Sequence, residues 1–370
     1  MLATLGERMT SRINIAELRP KDELTNTFLV KFINVAEARD GKKYLNIIFT
    51  DGTGDLEARA WNNAEEIADV IEKNQFVRAS GRLNLFQGRK QFIISEIQKI
   101  EQSEINLDDF VMKAKIHPEV MFKELMNIVD RLSDVYIKEL LANILSDSEI
   151  SRRLKSWQAG KSIHHAYRSG LLEHILSCSK LGLELSRHYE VNESYVVAGC
   201  ILHDLCKIYE LTDGLSVDYT EEGKLVGHLV KGLEIVDRFA YKIENFPYNV
   251  KMHLKHILLA HHGEYEYGSP KIPQTQEAYL VHLIDLMDSK MNAMEMIKRT
   301  DQQSGHWSNF VKHLDRIVYK DDLPTFSEKI ESPHQHKEPK VKAPVETKKG
   351  QPELKQNLAK LLGGVKLPES

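Results

Sequence analysis

Near residue 100 the apolar pattern of this chain changes period, and that change confines the fold to a small β unit followed by a helical one. Between residues 13 and 100 the sequence runs through TFLVKFINVAEA, KKYLNIIFTD, DLEARAW, QFVRASGRLNLF and KQFIISEIQKI. These are short stretches rich in Val, Ile and aromatics, as strands require. Arg39-Asp40-Gly41, Asp51-Gly52-Thr53-Gly54 and Gln87-Gly88-Arg89 supply turn residues between them. From about 105 to 320 apolar residues recur at three- and four-residue spacings, as in MFKELMNIVDRL and YVVAGCILHDLCKIYEL. After Phe326 aromatics vanish and Lys, Glu and Pro dominate, so 327–370 is expected to be a disordered tail.

The chain of 370 residues is long enough for two domains and a tail. A net charge of -4 gives no bulk attraction to nucleic acid, so any such surface must be a local patch. Cys178, Cys200 and Cys206 all lie in apolar helical surroundings and cannot build a disulfide framework. They fit a reducing, cytoplasmic setting. The opening stretch has no apolar run behind a basic start, and no segment approaches the roughly 18 apolar residues of a membrane span. Neither a secretory leader nor a membrane partner is expected.

In the β unit three strand runs precede a helical segment, Asn63 to Lys73, and two follow it. That is the order of an OB-fold, a small partly open barrel. The segment from Gly54 to Trp61, GDLEARAW, gives it a resemblance to nucleic-acid-binding OB domains. Such a barrel stacks bases on aromatics and tracks phosphates with basic residues. Phe32, Tyr44, Trp61 and Phe86 are candidates for the first task, and Lys31, Lys43, Arg59, Arg82, Arg89 and Lys90 for the second. Phe49, alternating with Leu45 and Ile47, belongs to the core.

The helical unit holds polar groups where they are costly. His174, His203-Asp204, His228, His261-His262 and Asp285 each sit in or at the end of an apolar stretch. An unpaired buried imidazole or carboxylate is expensive, and a shared metal accounts for several at once. Neighbours on a helix point about 100° apart, so His203-Asp204 suits a metal only near a helix end.

This set resembles the HD-domain phosphohydrolase superfamily over about residues 160–300. The resemblance implies a ligand set of His174, His203, Asp204 and Asp285 for one ion. It adds His228, His261 and His262 for a second, with Asp204 between them. Lys207, one turn on, would face a phosphoryl oxygen. Imidazole and carboxylate donors suit Mn²⁺ or Co²⁺, and also Fe²⁺, Zn²⁺ or Mg²⁺, and a bound ion lowers the pKa of water. His282, His253 and His256 are expected to be solvent-facing or supporting groups. SIHHAYRSGLLEH resembles the HHAYxGGLLEH entry of one HD subgroup, with Ser169 where Gly is usual, and gives His165, Tyr167 and Arg168 as substrate contacts. Two departures stand out. Cys206 replaces the Gly of HDxGK, and GEYEYGSP lacks the Gly-Tyr-Pro of cyclic-dinucleotide phosphodiesterases.

An OB-fold at 13–100 ahead of an all-α region at 105–320 resembles the YhaM-type 3′–5′ exoribonucleases. That resemblance implies metal-dependent removal of nucleotides from the 3′ end of single-stranded RNA, and also DNA. Arg59, Arg89 and Lys90 would then bind the strand. Two rivals remain: an HD phosphohydrolase of free nucleotides or cyclic dinucleotides, and a non-catalytic single-strand-binding factor. Surface left over in 105–155 leaves room for a homo-oligomer.

Overall fold

The computed structural model describes residues 12–325 apart from 39, 87, 107–108, 162–163, 215–216 and 302. The tail at 327–370 lies outside the described residues.

Five strands form the N-terminal unit: β1 (Glu23–Glu37), β2 (Lys43–Asp51), β3 (Gly54–Ala60), β4 (Phe76–Phe86) and β5 (Arg89–Ile100). Helix α1 (Ala64–Val70) falls between β3 and β4. They close into a barrel in the order β1-β2-β3-β5-β4. The β3–β5 pair is parallel, from Glu57↔Gln91 to Arg59↔Ile93, and the other pairs are antiparallel. The barrel is the OB-fold that the element order implies. Strict alternation builds its core: Leu45, Ile47 and Phe49 of β2 are fully buried, while Tyr44, Asn46 and Ile48 face outward. Phe28 stacks on Phe49 at 4.7 Å, and Phe92 leans on both. Asp51 ties the β2–β3 turn, its Oδ1 accepting from Thr53 N–H at 2.7 Å and Gly54 N–H at 3.2 Å.

The second unit comprises α2 (Pro118–Asp130), α3 (Val135–Leu145), α4 (Ser148–Leu154), α5 (Gly170–Tyr189) and α6 (Glu193–Leu202). It continues with α7 (Lys207–Glu210), α8 (Glu221–Leu225), α9 (Gly227–Ala240), α10 (Tyr248–Ala260) and α11 (Gln276–Thr300). Short polar side chains start many of them, with Asp134, Asp147, Asn192, Thr220 and Thr275 each accepting from a first-turn N–H. Helix α6 is buried from Val196 to Leu202, the signature of a central helix. Val196, Val197, Ile201 and Leu202 are each 3% exposed or less. Burial of side chains this size contributes about 1.5–3 kcal/mol apiece. Gly199 lets α10 and α11 close on α6: a Cβ there would meet Ile257 and Val281 methyls at 2.7 Å. Among the described residues no helix is long and apolar enough to cross a membrane.

Candidate metal centre

Helix α6 delivers the centre of the site. Its apolar run drives it into the core and ends at Leu202, leaving His203 as the C-cap and Asp204 just beyond. The dipeptide therefore lies at a helix end, where consecutive side chains can converge. Around it α5 brings His174, the first turn of α9 brings His228, the C-terminus of α10 brings His261 and His262, and the middle of α11 brings Asp285.

Of the four groups that could hold an ion among the described residues, two face Asp204. His174, His203, Asp204 and Asp285 place one donor atom each within 4.8 Å of one another, and so do His228, His261 and His262. In the first set His174 Nε2 lies 3.1 Å from His203 Nε2, 3.3 Å from Asp285 Oδ1 and 3.6 Å from Asp204 Oδ2. Donors each about 2.1 Å from one ion lie about 3.0–3.4 Å apart, so this spacing fits. Asp204 Oδ1 turns the other way, 3.5 Å from His228 Nε2 and 3.8 Å from His261 Nε2. One carboxylate thus faces both sets.

The remaining ring nitrogens show how the imidazoles are aimed. His174 Nδ1 meets Asp288 Oδ2 at 2.7 Å, His203 Nδ1 meets the Cys200 carbonyl at 3.0 Å, His228 Nδ1 meets Glu210 at 2.9 Å and His261 Nδ1 meets the Leu258 carbonyl at 2.8 Å. With each Nδ1 donating outward, each Nε2 lone pair is directed inward, as metal-binding imidazoles require. His228 Nε2, His261 Nε2 and His262 Nδ1 are buried with no hydrogen-bond partner in the protein. Buried polar atoms are seldom left this way. A cation supplies what they lack, so the donor chemistry and spacing fit a divalent metal.

Electrostatics agree. Burial works against ionisation of Asp204, yet Lys207, His203 and His228 hold its carboxyl well below the usual range. Asp285 is likewise held low against its burial by hydrogen bonds from His174 and His203. Burial, aided by His203 and His262, pushes His261 well below an ordinary imidazole, and burial with His228 lowers His262. Against its burial, Cys178, Asp285 and Asp288 hold His174 well above an ordinary imidazole, so this ring must lose a proton to take up an ion, since anionic carboxylates and neutral imidazoles are the ligand forms. Lys207 Nζ donates to Asp204 Oδ2 at 2.6 Å, so its ammonium is at the cluster.

Other expected contacts fall elsewhere. His165 and Tyr167, expected to contact substrate, have their polar atoms bonded within the protein. His165 Nε2 meets Asp288 Oδ2 at 3.0 Å, its Nδ1 meets the Tyr167 hydroxyl at 3.1 Å, and that hydroxyl donates to Glu173 and accepts from Asn292 at 2.9 Å. Both side chains brace Asp288 behind His174. Arg168 is exposed, with its backbone bonded to Met112 and Ala114. Arg59, Arg89 and Lys90 lie on the barrel. Arg59 sits 4.9 Å over the Tyr44 ring, and Tyr44 lies 4.9 Å from Trp61. Arg89 pairs with Glu57 at 3.5 Å and donates to Asn309 at 2.8 Å, and burial lowers the Lys90 pKa. Phe32, Trp61 and Phe86 are exposed and Phe49 is buried. Gln87 lies outside the described residues. Lys31, Lys43 and Arg82 are paired with Asp55, Glu65 and Glu23.

Ser169 adopts φ +65°, which explains why glycine suits the position, and its hydroxyl donates to the Lys155 carbonyl at 2.7 Å. At Gly170 a Cβ would meet the His165 carbonyl at 2.1 Å. Cys206 packs in the helical core, its thiol pushed by burial up to about 12, and it joins no donor set among the described residues. His282 Nδ1 donates to the His261 carbonyl at 2.8 Å, and His256 Nε2 accepts from Gln274 N–H. Sequence reasoning misses Asp288 and Glu210 and gives Cys178 only as a buried thiol, whereas it lies in a donor group with His174 and His203. Only Asp288 had a signal, one helical turn beyond Asp285 on the same face.

The HD domain family matches residues 171–290, and the OB-fold nucleic acid binding domain family matches 29–100. The 3′–5′ exoribonuclease YhaM of Oceanobacillus iheyensis is 32% identical over 314 residues, covering 83% of this chain and 96% of that protein. The chain belongs to the YhaM-type 3′–5′ exoribonuclease family. It is thus an HD-superfamily nuclease with a nucleic-acid-binding OB barrel. Among solved structures, a domain of replication protein A from Methanococcus maripaludis is 26% identical, with 25% of this chain and 98% of that one covered and a TM-score of 0.22. A mitochondrial single-stranded DNA binding protein from S. cerevisiae is 8% identical, with 22% and 98% covered and a TM-score of 0.20.

Proposed function

We propose that this protein is a cytoplasmic, metal-dependent exonuclease that shortens single-stranded RNA, and also single-stranded DNA, from the 3′ end. The observation that carries the reading is the division of Asp204 between two imidazole-rich sets, Oδ2 toward His174 and His203 and Oδ1 toward His228 and His261. In this reading His174, His203, Asp204 and Asp285 hold one divalent ion, and His228, His261, His262 and Asp204 a second, with Mn²⁺ or Co²⁺ favoured. When bound, such ions activate water and offset charge on a phosphate undergoing in-line displacement.

The chain's own groups do the rest. Lys207 is fixed at one end by Asp204, and its other ammonium protons are available to a phosphoryl oxygen. Asp288 and Glu210 lock the orientation of His174 and His228. On the barrel, Trp61 and Tyr44 form an aromatic step beside Arg59, which suits stacked bases and a phosphate. Residues 13–100 act as the strand-binding domain and 105–320 carry the hydrolytic one. The decisive experiment uses a single strand labelled at its 5′ end, incubated with Mn²⁺. Progressive shortening from the 3′ end is expected, with loss of activity in the His203→Ala, Asp204→Ala double variant. Full activity of that variant contradicts the metal-centre mechanism. Hydrolysis of free nucleotides with the strand left intact contradicts the exonuclease reading.

A further inference from the structure

His164 is the imidazole of the cluster with no assigned task. Every neighbour has one. His174, His203, His228, His261 and His262 enter the two donor sets, and His165 is bonded through both ring nitrogens. His164 enters no metal-capable group among the described residues. Its ring centroid nevertheless lies 5.7 Å from that of His174 and 6.2 Å from that of His165. Its Nδ1 is buried and has no hydrogen-bond partner in the protein. Buried polar atoms are seldom left unpaired, and a site keeps one where a visiting group supplies the partner.

The surroundings say what that group is. Lys207, Asp204 and Asp285 are the charged groups that act on the His164 ring, together with His174. An imidazole carries at least one N–H in either protonation state, so the unpartnered Nδ1 can act as a donor. An N–H donor next to the ligand-bearing ring of His174 and within the field of the Lys207 ammonium suits an anionic oxygen that arrives with the substrate. Lys207 alone is already anchored to Asp204.

We propose that His164, through Nδ1, is a catalytic residue that donates a hydrogen bond to a non-bridging oxygen of the scissile phosphate, opposite Lys207. This rests on the exonuclease reading above and assigns one further residue to that chemistry. His165 sits at φ +44° and its Nε2 meets Asp288, whereas the His164 ring, 5.7 Å from that of His174, has no such partner for its Nδ1.

The test compares wild type with His164→Ala and His164→Asn, whose side-chain amide can occupy the position of Nδ1. Substrates are a single strand and the same strand carrying one phosphorothioate at the 3′-terminal linkage, each stereoisomer separately. His164→Ala is expected to lower kcat about 100-fold, the usual loss for one transition-state donor. KM, Mn²⁺ stoichiometry by metal analysis and strand affinity by anisotropy should stay within twofold, and His164→Asn should recover at least tenfold. One phosphorothioate isomer should slow the wild type while leaving His164→Ala indifferent to sulfur. Loss of Mn²⁺ in His164→Ala overturns the assignment in favour of a role in metal retention. Unchanged kcat, or an equal sulfur effect in both proteins, overturns it as well. A wild type that leaves the strand intact defeats the exonuclease reading and this inference together, whereas an active wild type matched by His164→Ala defeats this inference alone.

Discussion

Replacing Asp288 by Asn should separate the positioning of a ligand from its presence. The Asp288 carboxylate accepts from His174 at 2.7 Å, from His165 at 3.0 Å and from the Ser177 hydroxyl. Asn keeps the shape and one acceptor oxygen but sets an NH₂ against one of those donors. Breaking one partner of a buried charged arrangement costs about 3–5 kcal/mol when nothing replaces it. An isosteric amide that still accepts one bond should cost about 2 kcal/mol, the range of a charge-assisted hydrogen bond. At roughly 2–4 °C per kcal/mol for a domain of this size, Tm should fall by about 4–8 °C. The ligand effect is distinct: with its Nδ1 partner scrambled, His174 no longer holds one tautomer, and metal affinity should drop about 10–100-fold. Calorimetric Mn²⁺ titration and thermal melts with and without Mn²⁺ read both. A variant that loses stability but titrates Mn²⁺ with wild-type affinity refutes the argument that Asp288 aims His174.

Other expectations follow from single contacts. Gly199→Ala should lose about 1–3 kcal/mol by overpacking against Ile257 and Val281, read as a lower Tm. Trp61→Ala should weaken single-strand binding by about 1–3 kcal/mol with metal content unchanged, and Arg59→Gln should reduce the slope of log K against log salt by about 0.7, both measured by anisotropy. Burial raises the thiols of Cys178 to about 11 and Cys206 to about 12 and lifts that of Cys200 well above its ordinary value, so all three should resist a thiol reagent at pH 8 in the folded protein and react after unfolding. Asp301 is held below its ordinary 3.8, against burial, by Lys320 and the Asn309 and Gln303 N–H groups. Its stabilisation is therefore present above that value and lost as pH falls through the lower folded pKa. Asp301→Asn should flatten the acid limb of Tm against pH below about pH 4.

Much of this architecture was legible because burial leaves a period in the sequence. The alternation of Leu45, Ile47 and Phe49 with Tyr44, Asn46 and Ile48 wrote both faces of β2. The donor sets were legible for a related reason: a His or Asp inside an apolar run has no cheap alternative to a partner. What escaped depends on backbone direction and on distant pairings. Nothing in the spelling His164-His165 tells which ring faces the cluster, since a left-handed φ at His165 decides it. Glu210 meets His228 across 18 residues with no helical spacing to announce it. The segment beyond α11 lies in the stretch expected to be helical but forms no helix among the described residues. It is tied by bridges such as Trp307↔Tyr319 and by the bond between Arg89 and Asn309, pairings that local pattern cannot reveal.

The central claim is that Asp204 joins two ions held by two sets of imidazoles. Anomalous diffraction from crystals grown with Mn²⁺ tests it most directly. The account predicts two peaks flanking the Asp204 carboxylate, one among His174, His203 and Asp285 and one among His228, His261 and His262. A single peak away from Asp204, or none at saturating Mn²⁺, would contradict it.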